Sequence, residues 1–397
     1  MLDRILVAES PASLGIDPAK LDALFDRAER EVRDGLLPSV QIAVARHGKV
    51  AAMRTFGRVT HEGREAPATN DTLYVIFSAT KAITSAAAWL LVEDGTLRLD
   101  ARVAEIVPEF ASNGKDVVTV EQLFTHTCGF PYAPFQPLEW DNRDARLDRF
   151  RRWRLNWAPG SRFEYHPTSS MWVIAELIER LSGTSYREFV RRRIAAALGL
   201  PALYVGLPRA EQHRLADIVH VGSAPTEAEL NALGFPMIPP GEVTEEALQG
   251  FNEADVRAVG VPGGGGTMTA ADLALFYQAL LAGGRSHDGT QVWKPETIAM
   301  ARVIRSGELT DWIFGKRANR ALGVIVAGDK DRTYRGFGKT GSDLMFGHNG
   351  AGGQLAWGDP ATGLSLGYCT NGMDRHPLRQ ARRGVAISSL AAALVDA

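Results

Sequence analysis

The stretch Thr72-Leu73-Tyr74-Val75-Ile76-Phe77-Ser78-Ala79-Thr80-Lys81 joins a β-prone run to an Ala- and Leu-rich segment that continues to Glu93 and stops at Gly95. Ser78 therefore falls where extended chain turns into helix. Positions i and i+3 share one helix face, so the Lys81 amine can point back at the Ser78 hydroxyl. A serine hydroxyl is a poor nucleophile near neutral pH and needs a neighbour to accept or stabilise its proton. The first N–H groups of a helix lack intrahelical partners. The one on Ser78, aided by the helix dipole, can stabilise an oxyanion. Against this stands the plain reading of Ser78 as an N-cap, and Ser-x-x-Lys spacings arise freely by chance.

Working outward, Asp17-Pro18 reads as an N-cap with proline at the first helical position. Leu21, Leu24, Phe25, Ala28 and Val32 then repeat at helical spacing until Gly35. Val40 to Ala45 and Val50 to Phe56 flank His47-Gly48 as a β-hairpin. From Val103 to Gln291 most recognisable elements are helical. Ser185-x-x-Glu188 has the form of a capping box opening a helix through Leu198, which Gly199 ends. The region from Gly206 to Gly250 reads as long loops able to rim a cleft. Ala321 to Ala327, Gly353 to Trp357 and Leu364 to Cys369 look like strands, the last two joined by a turn at Asp359-Pro360-Ala361-Thr362-Gly363. A helix from Leu378 to Leu394 closes the chain. This order predicts an α/β (α+β) protein with a sheet domain from residues 1–100 and 295–397. A mainly helical region, 101–294, is inserted, with the site at the interface.

Composition narrows the function. The 397 residues are 45% hydrophobic, enough for a large core, and 44 Lys plus Arg against 46 Asp plus Glu leave a net charge of −2. That balance points away from nucleic acid and anionic membranes, and the arginines at Arg191-Arg192-Arg193 read as a solvated helix face. The start, Met1-Leu2-Asp3-Arg4, lacks a basic n-region and apolar core, and no run of about 18 apolar residues occurs. The expectation is a soluble, cytoplasmic protein. Its two cysteines, Cys128 and Cys369, make a disulfide scaffold unexpected, although pairing stays open.

Other motifs compete with Ser78. Ser112-Asn113-Gly114-Lys115 repeats the spacing, but Asn-Gly signals a turn, so it reads as a surface loop. Gly363-Leu364-Ser365-Leu366-Gly367 matches Gly-x-Ser-x-Gly, yet its flanks alternate like a hairpin strand and no helix follows directly. Gly263 to Gly266 lacks the Gly-Lys-Ser/Thr ending of a phosphate cradle, and Thr269-Ala270-Ala271-Asp272 reads as a helix cap. His61-Glu62 lacks a second histidine and the remaining histidines are scattered, so no metal site and no cofactor are expected.

Three further stretches complete a pattern. Leu123-Phe124-Thr125-His126-Thr127-Cys128-Gly129 resembles a structural loop of penicillin-recognising serine hydrolases. Pro159-Gly160-Ser161-Arg162-Phe163-Glu164-Tyr165 resembles the approach to their catalytic tyrosine. Phe346-Gly347-His348-Asn349-Gly350-Ala351-Gly352-Gly353 resembles their third motif, on a strand beside the nucleophile. With Ser78-x-x-Lys81 the chain resembles the class C β-lactamase superfamily, and especially its family VIII carboxylesterases. The resemblance implies a β-lactamase-like three-layer sandwich, a mainly antiparallel sheet flanked by helices. It further implies Ser78 as the acylated nucleophile and Tyr165 as the base that takes its proton. A tyrosine with a pKa of about 10 needs help at neutral pH, and a cationic Lys81 nearby favours its phenolate. Whether lysine or tyrosine receives the proton stays open. The N–H groups of Ser78 and Ala351 would form the oxyanion hole, and His348, Asn349 and Gly350 would bind substrate.

The departures shape the expected activity. Tyr165-His166-Pro167 carries proline where the β-lactamase pattern has asparagine, so no side-chain amide is available there. Ser169 or Ser170 is a candidate replacement. His348-Asn349-Gly350 stands for Lys-Thr-Gly, giving less fixed positive charge. A literal Lys339-Thr340-Gly341 upstream is followed by the loop-forming Ser342-Asp343 and reads as a decoy. Cofactor-free hydrolysis of small or short-acyl esters is the expectation. β-lactamase or D-alanyl-D-alanine carboxypeptidase-like activity, or β-lactam binding without turnover, are the alternatives. Trp140, Trp153, Trp157 and Phe135 are candidates for an apolar acyl pocket, though such aromatics often serve as core. The oligomeric state is not legible.

Overall fold

The computed structural model describes residues 3–61, 63–232 and 243–395. Its centre is a seven-stranded antiparallel sheet in the spatial order Ile325–Val326, Phe346–Gly347, Leu355–Gly358, Leu364–Thr370, Ser39–Arg46, Lys49–His61, Arg64–Pro67. The hairpin at His47-Gly48 forms as expected, and residues 359–363 turn the chain between the strands ending at Gly358 and starting at Leu364. N- and C-terminal segments meet because Val40 to Arg46 pair with Thr370 to Leu364.

Three layers follow from the side-chain alternation of the strands. Val40, Ile42, Val44, Leu364, Leu366 and Tyr368 face the helices Pro18–Arg33 and Pro377–Ala392. Asp17 caps the first of these, accepting from the Ala19 and Lys20 N–H groups. On the opposite face, Ala43 and Ala45 meet the helix Ala270–Leu281, which covers the sheet although it lies within 101–294. At Gly367 a Cβ would stand 2.1 Å from the Ala270 carbonyl oxygen, so only glycine admits this close approach. Ser365 Oγ donates to Ala274 O at 2.8 Å and accepts from Gln278 Nε2 at 2.9 Å. The Gly-x-Ser-x-Gly match is thus a helix-docking site inside a strand.

Behind that layer runs the helix Thr80–Glu93, buried from Thr80 to Leu91 and packed on the helix Ser169–Ser182. A helix apolar all round belongs inside a core, which explains the alanine-rich sequence.

Several local expectations change. The β-prone run before Ser78 yields only the strand Tyr74–Val75, paired with Gly266–Met268. Ala321 to Ala327 yields only Ile325–Val326. Gly323 adopts φ +77° and tucks against Ser85 of the buried helix, so the chain cannot run straight there. The helix after Ser185 is interrupted by a π-helical stretch at Arg191–Ala196, and Ser185 accepts from the Glu188 N–H while Glu188 pairs with Arg191. Residues 206–232 and 243–250 hold short elements, among them Val219–Val221, Glu227–Ala232 and Glu245–Gln249. The remainder of that predicted loop, 233–242, and Glu62 of the His61-Glu62 pair lie outside the described residues. Among the described residues no helix is long and apolar enough to cross a membrane.

Candidate active site

Ser78 sits in a single 3-10 turn, Phe77–Ala79, directly ahead of the buried helix. It caps nothing with its side chain. Phe77 is held at φ +44°, a left-handed conformation that costs a bulky residue energy and persists only where surroundings enforce it. The enforcement is visible. Ile76 N–H donates to Gly266 O, and the Gly266 N–H donates to Thr80 Oγ1 at 2.8 Å. A Cβ on Gly266 would lie 2.6 Å from Thr80 Oγ1. Gly266 therefore lets a strand lie against the turn that carries Ser78, a role the composition of the glycine run did not reveal.

Lys81 is fully buried, and its ammonium has three acceptors: Pro167 O at 2.6 Å, Gly263 O at 2.8 Å and Ser78 Oγ at 3.4 Å. Three N–H donors meeting three acceptors favour the charged form. Burial pulls the lysine below its ordinary pKa, and the Tyr165 charge opposes that pull. The proline at 167, unable to offer an amide side chain, contributes its carbonyl oxygen instead. Ser169 and Ser170 do not replace the missing amide. Ser169 Oγ donates to Phe130 O, and Ser170 is buried within its helix.

The Tyr165 ring lies with its centroid 4.9 Å from Lys81 Nζ, 4.7 Å from the His126 ring and 6.0 Å from the His348 ring. Its Oη is buried and makes no hydrogen bond of standard geometry among the described residues, yet it lies near enough to Lys81 for the interaction between them to oppose the effect of burial on the lysine. A buried hydroxyl without such a bond is costly and calls for a functional explanation. The backbone beside it is fixed by histidines: His166 N–H donates to His126 Nδ1 at 3.2 Å, and Phe130 N–H donates to His166 Nε2 at 3.1 Å. Cys128 Sγ lies 3.2 Å from the same nitrogen. Both cysteines are buried and free.

His348 is buried, donating from Nδ1 to Asn349 O at 2.8 Å and accepting at Nε2 from Arg320 Nη1 at 3.2 Å. Asn349 spends its amide on Gly336 O at 2.6 Å. Gly350 crosses over the Ile76 carbonyl so closely that a Cβ would lie 2.2 Å from it. Ser78, Tyr165, His348, Asn349 and Ala351 all line one cavity of about 830 Å³, which Gly350 does not line. Lys339 lies elsewhere, exposed, where its N–H and Thr340 Oγ1 bind Ser389 of the C-terminal helix.

The sequence reading missed Arg320. Its guanidinium lies 5.1 Å from the Tyr165 ring centroid and lines the cavity, returning a positive charge close to where the third-motif lysine is absent. Nothing local in its sequence marks it. The acyl-pocket expectation is also revised. Phe135 lines the cavity and is joined by Trp172, whereas Trp140 and Trp153 are buried core and Trp157 donates to Glu164. Ser112-Lys115 forms the expected surface turn at Asn113 and Gly114, both exposed, but its lysine is not at the surface. Gly114 at φ +78° swings Lys115 inward, where its buried ammonium binds Ser112 O and Trp153 O at 2.6 Å and Ser112 Oγ at 3.3 Å. Burial pushes that lysine down to about 8. It does not line the cavity. Among the described residues no His, Cys, Asp and Glu side chains cluster as metal ligands.

Three site histidines are held neutral. Burial depresses His166 to about 3 and takes His126 and His348 well below their ordinary value, with Arg320 as the next cause for the latter two. An unfolded histidine titrates at about 6.5. Their contribution to stability is therefore complete above that pH and falls as pH drops below it, by up to about 1.4 kcal/mol per pH unit per group. The urea midpoint should decline steadily from pH 7 to pH 5; a flat midpoint over that interval would contradict the geometry.

Comparison with known proteins bears on the family and the fold. The sequence model of a family described as Beta-lactamase matches residues 25–391. Esterase EstB of Burkholderia gladioli is 33% identical over 235 residues, which are 53% of this chain and 58% of the esterase. A penicillin-binding protein homologue from Caulobacter crescentus superposes with a TM-score of 0.80 at 28% identity, covering 96% of this chain and 99% of that one. A family VIII carboxylesterase structure superposes with a TM-score of 0.76 at 26% identity, covering 94% and 98%.

Proposed function

The chain belongs to the beta-lactamase family, and from its site we propose that it is a serine carboxylesterase acting on small esters through an acyl group on Ser78. The observation that carries this is the Lys81 ammonium bonded to Ser78 Oγ at 3.4 Å on the wall of a cavity shared with Tyr165. With three acceptors around it, Lys81 serves as a fixed cation, so the proton of Ser78 passes to the Tyr165 oxygen, which enters the cycle deprotonated opposite that cation. Ser78 Oγ attacks the ester carbon, the N–H groups of Ser78 and Ala351 hold the oxyanion, and the C–O bond to the alcohol breaks. Tyr165 returns the proton to the departing alkoxide. Water then repeats the sequence, releasing the acid and restoring Ser78. His348 and Asn349 border the substrate, Gly350 does not reach the cavity, and Arg320 adds positive charge beside Tyr165.

Ester rather than amide cleavage is supported by two features. Neither Pro167 nor Ser169 offers a free side chain to orient an amide, and both nitrogens of His348 are engaged. An alkoxide also leaves more easily than an amine anion. The resemblance to an esterase of Burkholderia gladioli and to a family VIII carboxylesterase points the same way. A cytoplasmic setting is supported by two buried, unpaired thiols.

Incubation with diethyl p-nitrophenyl phosphate tests the reading. One p-nitrophenolate should be released per chain, ester hydrolysis should cease, and the added mass should sit on the peptide containing Ser78. Labelling of a different serine, or a chromogenic cephalosporin turned over faster than p-nitrophenyl butyrate, would overturn it.

A further inference from the structure

We infer that the apolar half of the cavity is an acyl-binding lobe that selects esters of hexanoyl, octanoyl or phenylacetyl size over acetyl esters, a deepening that rests on the esterase reading above. The cavity is chemically divided. Around Tyr165 stand Lys81, His126, Arg320 and His348, all cationic or polar. The alcohol portion of the ester must leave on that side, because its oxygen collects a proton from Tyr165. The acyl portion, still attached to Ser78, then extends the other way.

Phe77, the chain neighbour of Ser78, joins Leu248, Phe251 and Ala351 in one apolar cluster, with the Phe77 and Phe251 rings 5.4 Å apart and edge to face. Val256 and Val261 continue the wall. Leu248, Phe251 and Val256 remain only half-buried although apolar, so an acyl chain laid on them removes surface that the fold leaves wet. Of the cavity's about 830 Å³, an acetyl group fills a small part. Each further methylene withdrawn from water multiplies binding about fourfold when fully buried. The lobe therefore rewards length, and Phe135 and Trp172 add further aromatic surface to the same cavity.

The measurement is kcat/KM for p-nitrophenyl acetate, butyrate, octanoate and phenylacetate. Wild type should favour octanoate over acetate by about tenfold or more. Val256→Trp, which fills the lobe, should lower the octanoate-to-acetate ratio about tenfold or more, and Leu248→Gln should lower it in the same direction by making the wall polar. Melting curves establish that each variant is folded, and the Leu248 variant, at a half-exposed position, serves if the tryptophan is not tolerated. A wild-type ratio at or below one, or an unchanged ratio in the folded variants, would overturn the proposal. Absence of turnover with every ester would overturn the esterase reading itself, and this proposal with it.

Discussion

Ser78→Ala is expected to reduce hydrolysis of p-nitrophenyl butyrate by about 10⁴-fold or more while the protein stays folded. The two halves of that expectation have separate physical origins. Loss of the oxygen proposed to form the acyl bond removes the covalent route outright. Stability, by contrast, hardly depends on that oxygen, which accepts one long bond from Lys81 at 3.4 Å. Lys81 keeps Pro167 O and Gly263 O, so its burial stays satisfied, and the change in melting should amount to about 1 kcal/mol or less. Ser365→Ala supplies the contrast. Its hydroxyl bonds Ala274 O and Gln278 Nε2 within the sheet–helix contact, so that variant should lose about 1–3 kcal/mol of stability yet retain its kcat. Turnover that survives in Ser78→Ala would end the assignment.

Tyr165→Phe is expected to lower kcat by about 10²–10⁴-fold with an unchanged or slightly raised melting temperature. Only Oη is deleted. The ring remains, and with it the approach of Lys81, Arg320 and His126 to its face and edge. Because Oη makes no hydrogen bond of standard geometry among the described residues, its removal relieves a desolvated polar atom, and the support it gives the Lys81 charge is lost while the lysine keeps Pro167 O and Gly263 O. An ordinary structural tyrosine would behave in the opposite manner, losing stability and keeping its rate. A folded Tyr165→Phe enzyme within tenfold of wild type would show that the proton moves through another group, with Lys81 the first to examine.

Features set by neighbours along the chain are legible from residue order. Asp17-Pro18, the hairpin at His47-Gly48 and the closing helix all form near their expected positions. The Ser78–Lys81 contact belongs here too, since one helical turn brings i and i+3 together whatever surrounds them. Where expectation and structure part, the deciding partner is distant. The Ser112–Lys115 pair reads as exposed because Trp153, which supplies the carbonyl that anchors the lysine, is far along the chain. The strands around Ile325 and Tyr74 are short because each must bend to meet the buried helix or the glycine-lined strand.

By itself, then, the sequence determined the helix and strand periodicities, the glycine stops and the amine one turn from a hydroxyl, because these are short-range consequences of backbone geometry. Only the tertiary structure decided which polar groups are desolvated together. It brought Arg320 to the face of Tyr165, left Oη without a hydrogen bond of standard geometry among the described residues and turned Gly263 and Pro167 into acceptors for Lys81. Those facts depend on closure of a cavity whose walls come from residues 77 to 351. Electrostatic strength in such a place is set by exclusion of water, a property of the assembled walls and of no single segment.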